Sequence, residues 1–257
     1  MSRPVAVAPA SPPREQRLAQ PPPLRLVSAS AELPLRVFVI AGGASISAGL
    51  AASALAWPLW SVALITLGPW IPLYLRDVAE VARRNPWLAL FYVVAVSQGG
   101  HLVEHVTQMV QLHLLHLPPA HSRGIFGPLD VEWVHFGWNT FILLATASLL
   151  AAYRHSRLLL AAFALAIWHQ AEHTWIMSVY LSTGDAGSAG LLAAGGVIGG
   201  GLPLKRADLH FLYNIAETTP LIVAFVIETA RAKRTARLQD AARVRRLESR
   251  RSAPGTA

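Results

Sequence analysis

The chain has 257 residues, of which 53% are hydrophobic and only 14% are charged, and it contains no cysteine. Soluble domains carry about a quarter of charged residues, so the composition excludes an ordinary soluble protein. The lack of cysteine excludes disulfides, thiolate nucleophiles and cysteine-bound metal clusters. The net charge of +8 is concentrated in the two ends of the chain, which favours basic segments at an anionic membrane surface over nucleic-acid binding.

The first element is a proline-rich head over residues 1–34, which lacks the apolar core of a signal peptide. Its composition predicts a disordered cytoplasmic tail. Apolar segments near the ~20 residues needed to cross a bilayer then follow through residues 35–230. A basic tail over residues 231–257 completes the chain. The predicted fold is therefore an all-α polytopic membrane protein with six transmembrane helices, at Leu35–Ala56, Pro58–Leu75, Pro86–His116, Asp130–Tyr153, Arg157–Leu181 and Ala207–Ala230.

The distribution of arginine and lysine predicts the orientation of these spans. Cations concentrate at residues 76–84, in the turn 154–157 and in both tails, whereas the connections 117–129 and 182–206 carry few. Because cytoplasmic loops carry the excess of positive charge, we expect a multi-pass protein of the cell (inner) membrane with both termini cytoplasmic. The second sparse connection is rich in glycine and apolar enough to dip into the membrane or to cap the bundle.

Two histidine motifs each occur twice, and in the same order. The copies of HxxEH and HFx(W/Y)N are His101–His105 and His135–Asn139, then His169–His173 and His210–Asn214. The connection before each second motif also resembles its counterpart, Gly124–Gly127 against Gly196–Gly199. This repetition predicts a duplicated helix hairpin, with repeats over about residues 86–153 and 157–230, and a four-helix core built from both copies.

The spacing of the motifs predicts a metal site. Positions i, i+3 and i+4 of a helix share one face, and all four motifs are expected at one depth in the outer half of the membrane. Carboxylates inside a bilayer are costly unless they are paired or bound to metal. The ligand types resemble those of the carboxylate–histidine dimetal sites of four-helix bundles. The predicted ligands, with the asparagines as weak ligands or orienting groups, are His101, Glu104, His105, His135, Asn139, His169, Glu172, His173, His210 and Asn214.

Two further glutamates have no counterpart in the other repeat. Glu132 lies three residues before His135, and Glu217 lies seven residues after His210. These two form the candidate catalytic set, as proton carriers or additional ligands. For Glu132, a solvated start of a helix explains the residue equally well.

Imidazole with carboxylate suits iron, zinc, copper or manganese, and a pair of iron ions is the favoured expectation. The expected function is a membrane oxidoreductase that acts on a lipophilic or small apolar substrate and draws on an electron donor or a quinone. A b-type cytochrome with haem held by histidines and a transition-metal transporter are the alternatives. An HxxEH peptidase and a non-catalytic assembly subunit are less favoured hypotheses.

Overall fold

The computed structural model describes residues 33–126 and 131–252, and helices account for most of these ranges. The α-helices are α1 (Leu35–Ala54), α2 (Leu59–Leu67), α3 (Ile71–Arg84), α4 (Pro86–Met109), α5 (Val131–Ala152), α6 (Arg157–Thr183) and α7 (Arg206–Ser252). A 3₁₀ turn, Gly68–Trp70, joins α2 to α3, and a π-helical turn, Val110–Leu114, extends α4. The predicted all-helical class is confirmed for the described residues, among which no strand occurs.

Local signals fix the ends of the helices that carry the motifs. The side chain of Asn85 accepts a hydrogen bond from the Leu88 amide at 3.0 Å and so caps α4. Ser156 caps α6 in the same way, and α6 ends at Gly184, whose φ of 75° suits a residue without a side chain. These caps set the register in which the motif histidines face the bundle.

Five helical segments are long and apolar enough to cross a membrane, which is compatible with a membrane protein. They are Leu35–Ala54, Leu59–Arg84, Pro86–Leu114, Glu132–Ala152 and Arg206–Arg246. Helix α6, the fifth predicted span, has 27 residues but is not one of the five, because the polar residues of its own motif, from His169 to His173, lower its hydropathy. The count of six spans therefore stays a prediction.

Two predicted elements differ in length from those observed. The second span continues as helix to Arg84, because Pro69 and Pro72 each lie in the first turn of a helical segment, where a missing amide proton costs little. Helix α7 runs past Ala230 to Ser252, since the basic tail is rich in strong helix formers. The head up to residue 32, residues 127–130 and residues 253–257 lie outside the described residues.

Helices α4, α5, α6 and α7 form the core as a closed ring. Each contacts two neighbours, in the pairs α4–α5, α5–α6, α6–α7 and α7–α4. Outside the ring, α1 packs on α2, and α3 packs on α4. The four helices that carry the motifs therefore surround a common axis.

The two ends of this ring differ in character. At the apolar end, where α4 and α6 begin, the buried cluster consists of Phe91, Val94, Ile142, Ala145, Leu149, Leu159, Ala162, Leu221 and Ala224. At the histidine end, where α5 and α7 begin, the buried residues are largely polar. Large apolar side chains instead cover the outside of the helices, with Ile40 68% and Leu144 63% exposed. Apolar surface outside and polar groups within is the distribution that a lipid environment favours.

Candidate metal centre

The six motif histidines lie together at the histidine end and form two groups. The first triad is His101, His105 and His135, from α4 and α5, and the second triad is His169, His173 and His210, from α6 and α7. Within each triad the possible ligand atoms lie within 4.8 Å of one another. Each triad thus combines an i, i+4 pair on one helix with one histidine from the first turns of the next.

Equivalent residues of the two triads make equivalent ring contacts. The ring centroids of His101 and His105 are 4.8 Å apart, and those of His169 and His173 are 4.9 Å apart. The aromatic residue of each HFx(W/Y)N motif lies beside the first histidine of its triad. Trp138 is 5.7 Å from His101, and Tyr213 is 5.6 Å from His169, between ring centroids.

The two triads also contact each other. The ring of His135 stacks on that of His173 with centroids 5.7 Å apart, and His105 lies 6.4 Å from His210. The six rings therefore make one continuous cluster across the axis of the ring of helices.

The hydrogen bonds of the rings leave several nitrogens free to bind an ion. His210 Nδ1 lies 3.0 Å from the Arg206 carbonyl oxygen and donates to it in the neutral tautomer, which leaves Nε2 without a partner. His101 Nε2, His173 Nδ1 and both ring nitrogens of His105 are likewise buried without a hydrogen-bond partner. Buried polar atoms normally find partners, so this set fits an additional ligand at the centre.

One pair of ring nitrogens already has the spacing of metal ligands. His169 Nε2 and His173 Nε2 are 3.2 Å apart. Tetrahedral coordination with bonds of about 2.0 Å places ligand nitrogens about 3.3 Å apart. The second triad therefore needs little rearrangement to hold an ion.

The motif asparagines contact the backbone. Asn139 donates to the carbonyl oxygen of His135, and Asn214 donates to that of His210, each at 2.9 Å. The Asn214 side-chain oxygen accepts a hydrogen bond from Gln98 at 3.2 Å. These contacts are with backbone and Gln98, and whether the asparagines orient the imidazoles or act as weak ligands stays a prediction.

The glutamates of the two HxxEH motifs contact connecting loops. Glu104 accepts hydrogen bonds from the amides of Ile125 at 2.8 Å and Phe126 at 2.9 Å, and Glu172 accepts one from Leu191 at 2.9 Å. Neither carboxylate is a member of the two groups of possible ligands, which consist of histidines alone. Each one instead fastens the connection that leads to the third histidine of its triad.

A glycine in the left-handed region precedes each of these amides. Gly124 and Gly190 have φ values of 75° and 78°, and a Cβ at either would lie 2.2 Å or 2.0 Å from an oxygen of Glu104 or Glu172. Gly190 therefore makes the contact with Glu172 that Gly124 makes with Glu104, whereas Gly196 and Gly199, in the stretch that resembles Gly124–Gly127 in sequence, do not approach Glu172. The correspondence between the two connections stays a prediction.

The two candidate catalytic glutamates have different surroundings. Both oxygens of Glu132, which is 3% exposed, lie 2.8 Å from one nitrogen of the Arg206 guanidinium, so Glu132 ties the start of α5 to the start of α7. Glu217 is 1% exposed, and its Oε2 lies 3.0 Å from His169 Nδ1. Glu217 thus bonds to a triad histidine and Glu132 bonds to an arginine, and the catalytic roles of both residues stay predictions.

A cavity of about 600 Å³ leads from the histidine end to the triads. Its floor includes two histidines of each triad, His105, His135, His173 and His210. Its walls carry polar and charged groups, among them Glu104, Glu132, Arg123, Lys205 and Arg206. Four of the six rings are thus reached from one end of the bundle.

Three residues that shape the site were not found from the sequence. Gln98 lies one helical turn before the first HxxEH motif, and Arg206 lies one turn before the second HFx(W/Y)N motif. This spacing places each of them on the same helix face as its motif, and it is the signal by which they could have been found. Gly190 gave no signal, because its role depends on the course of a loop. No family model matches the chain, and neither a curated protein nor a solved structure matches it.

Proposed function

We propose that this chain is an integral membrane metalloprotein whose six motif histidines hold two metal ions in a dinuclear centre. The observation that carries this proposal is the convergence of both triads, with buried ring nitrogens that have no hydrogen-bond partner. A set of neutral imidazoles with lone pairs directed at one another is stabilised by a cation between them.

The charge around the triads supports the same proposal. Glu104, Glu172 and Glu217 surround the histidines, and within the described residues none of them forms an ion pair with lysine or arginine. Uncompensated carboxylates in a membrane interior are costly. Metal cations between the histidines would offset this negative charge.

The ligand types change the expected identity of the metal. Iron was favoured on the assumption that carboxylates join the ligands, but Glu104 and Glu172 bind loop amides. Three imidazoles per ion suit copper and zinc, and copper binds nitrogen ligands most strongly among the divalent first-row metals. We therefore place copper first and zinc and iron after it, with manganese last because it prefers oxygen ligands.

A redox-active pair of ions would supply electron transfer to or from a bound substrate, and we propose an oxidoreductase on this basis. The chain's own part is to exclude bulk water around buried rings, to hold the ring orientations, and to admit a substrate through the cavity above His135 and His173. The charged residues of the cavity lining would bind a polar group of a small substrate, and the larger apolar part of the lining would contact the rest of it. Electrons would come from a partner or a quinone.

The finer architecture belongs to the same proposal. We infer a duplicated hairpin, α4–α5 and α6–α7, because equivalent positions make equivalent ring and loop contacts. We also infer that α6 spans the membrane, since it lies in the ring between α5 and α7. Six spans with both termini cytoplasmic place the cavity at the outer face.

A haem-binding cytochrome is favoured less. A bis-histidine haem needs a flat slot between two facing imidazoles. In this chain the rings lie against one another from several directions, with neighbouring centroids 4.8–6.4 Å apart. A porphyrin would have to displace four of the six rings.

Elemental analysis and an optical spectrum of freshly purified protein in detergent test the proposal. We expect two transition-metal ions per chain and no haem absorption. A double variant with one change in each triad, His105→Ala with His173→Ala, should bind neither ion firmly.

The matched control changes two histidines outside the triads, His113→Ala with His155→Ala. Both are 57% exposed in their side chains and pair with Asp208 and Glu228 respectively. This control should retain both ions. Purified wild-type protein that binds no metal, even after titration, would contradict the proposal, and metal that exchanges freely and crosses the membrane would favour a transporter.

A further inference from the structure

The two triads differ at one buried position. Glu217 lies two turns after His210 on α7, and the residue at the same offset from His135 on α5 is Ile142. Both side chains are 1% exposed. One triad thus has a buried carboxylate where the other has a buried aliphatic side chain.

The carboxylate acts on a ring that faces the centre. Glu217 Oε2 lies 3.0 Å from His169 Nδ1, while His169 Nε2 lies 3.2 Å from His173 Nε2. An Nδ1–H that donates to a carboxylate fixes the ring orientation and leaves the other nitrogen as a more basic metal ligand. Glu217 is therefore a positioning residue for His169.

The second triad is also more deeply buried. Its members are 1%, 1% and 4% exposed, whereas in the first triad His105 is 3% exposed, His101 is 8% exposed and His135 is only half-buried. The buried carboxylate and the deeper burial point to the same triad.

We infer that the two metal sites are unequal. The second triad binds its ion tightly and retains it, and the first triad holds the weaker, exchangeable ion. This inference rests on the proposed function, since it assumes that both triads bind metal. It assigns the exchangeable position, and with it the place where an external ligand enters, to His101, His105 and His135.

Titration of metal-free protein in detergent with Co²⁺, in competition with a chelator, measures both affinities. We expect two successive binding events in the wild type, separated by at least about 10-fold in dissociation constant. Glu217→Gln should weaken the tight event by about 10- to 100-fold and leave the weak event unchanged. The Co²⁺ d–d bands of the tight site should keep their shape in this variant, because the ligand atoms stay the same.

Glu228→Gln is the matched control. Glu228 is also a buried carboxylate of α7, 4% exposed, and it bonds to His155 and Arg231 far from the triads. Both binding events should be unaffected by this change. A loss in both variants alike would indicate a general effect on α7 and would overturn the role of Glu217.

The converse variant, Ile142→Glu, supplies the missing carboxylate to the first triad and should strengthen the weak event. If this variant does not fold, the wild-type titration decides alone. Two equal sites in the wild type, or a tight event that Glu217→Gln leaves unchanged, would overturn the inference while the dinuclear proposal stands. Absence of any Co²⁺, Cu²⁺ or Zn²⁺ binding would instead overturn the proposed function.

Discussion

The two ends of the four-helix core are filled by opposite kinds of side chain, although the same four helices supply both. At the apolar end, Phe91, Leu149 and Leu159 are completely buried and belong to one hydrophobic cluster. At the histidine end, the buried volume holds imidazoles, carboxylates and amides, several without partners.

This contrast separates stability from function within one bundle. Close packing of apolar side chains holds membrane helices together, whereas buried polar atoms without partners lower stability. The apolar end therefore stabilises the ring of helices, and the histidine end is kept polar at a cost that only a bound ligand offsets. Variants that act at one end alone can break or sharpen this division.

The largest effect on metal content is expected from His105→Leu at the histidine end. One of the two bound ions should be lost, because the first triad keeps only two histidines. The metal-free protein should become more stable by about 1–3 kcal/mol, since two unpaired buried nitrogens are removed. Metal content and the free energy of unfolding in detergent measure both changes.

His155→Leu is the comparison for this variant, because the His155 side chain is 57% exposed. It should leave the metal content unchanged and change the unfolding free energy of metal-free protein by less than about 1 kcal/mol, because Glu228, the partner of His155, keeps its bond to Arg231. A metal-free His105→Leu protein that is less stable than the wild type would show that the histidine end contributes packing energy of its own.

The opposite result is expected from Phe91→Ala at the apolar end. Phe91 is 0% exposed and contacts the rings of Tyr153 and Phe225 at centroid distances of 5.6 and 5.5 Å. Its removal should cost about 3–5 kcal/mol of unfolding free energy, yet both ions should still bind at low temperature. Loss of an ion in a folded Phe91→Ala protein would contradict the separation of the two ends.

Part of the histidine end could be predicted from the sequence alone. The i, i+4 spacing of His101 and His105, and of His169 and His173, places each pair on one helix face whatever the surroundings, and the ring contacts agree with that placement. These features depend only on helix geometry, which is local.

The roles of the glutamates depended on contacts that a helix pattern does not contain. Glu104 and Glu172 lie on the same helix face as the histidines, but their carboxylates accept hydrogen bonds from loop amides. The course of those loops depends on the left-handed conformation of Gly124 and Gly190. The partner of Glu132 lies 74 residues away in sequence. Such long-range pairs need the three-dimensional fold.

That long-range pair gives the third prediction. Arg206→Met leaves Glu132, which is 3% exposed, as a buried carboxylate without its cation. Breaking one side of such a pair costs about 3–5 kcal/mol, whereas replacing both partners by apolar residues is nearly neutral. The unfolding free energy should therefore fall by about 3 kcal/mol in Arg206→Met and recover in the double variant with Glu132→Leu.

The exposed pair of His113 and Asp208 provides a reference for the same measurement. The His113 side chain is 57% exposed and the pair is 2.6 Å apart. Asp208→Asn should change the unfolding free energy by less than about 1 kcal/mol. If Arg206→Met lowers the unfolding free energy by no more than Asp208→Asn does, Glu132 is solvated from the cavity, and its bond to Arg206 does not join α5 to α7.

The smallest effect is expected in the loop that closes the histidine end. Gly190→Ala places a Cβ 2.0 Å from Glu172 Oε1, so the carboxylate must move and release the Leu191 amide. The same change also forces alanine into a left-handed conformation, with φ of 78°, at a cost of about 1–2 kcal/mol.

Gly199→Ala is the control that isolates this backbone cost, because Gly199 has φ of 61° and open space where a Cβ would lie. Hydrogen exchange at Leu191 should accelerate in Gly190→Ala and stay slow in Gly199→Ala, since only the first change breaks the bond to Glu172. Equal exchange in both variants would mean that Glu172 does not hold the loop, and would leave its carboxylate available to the metal after all.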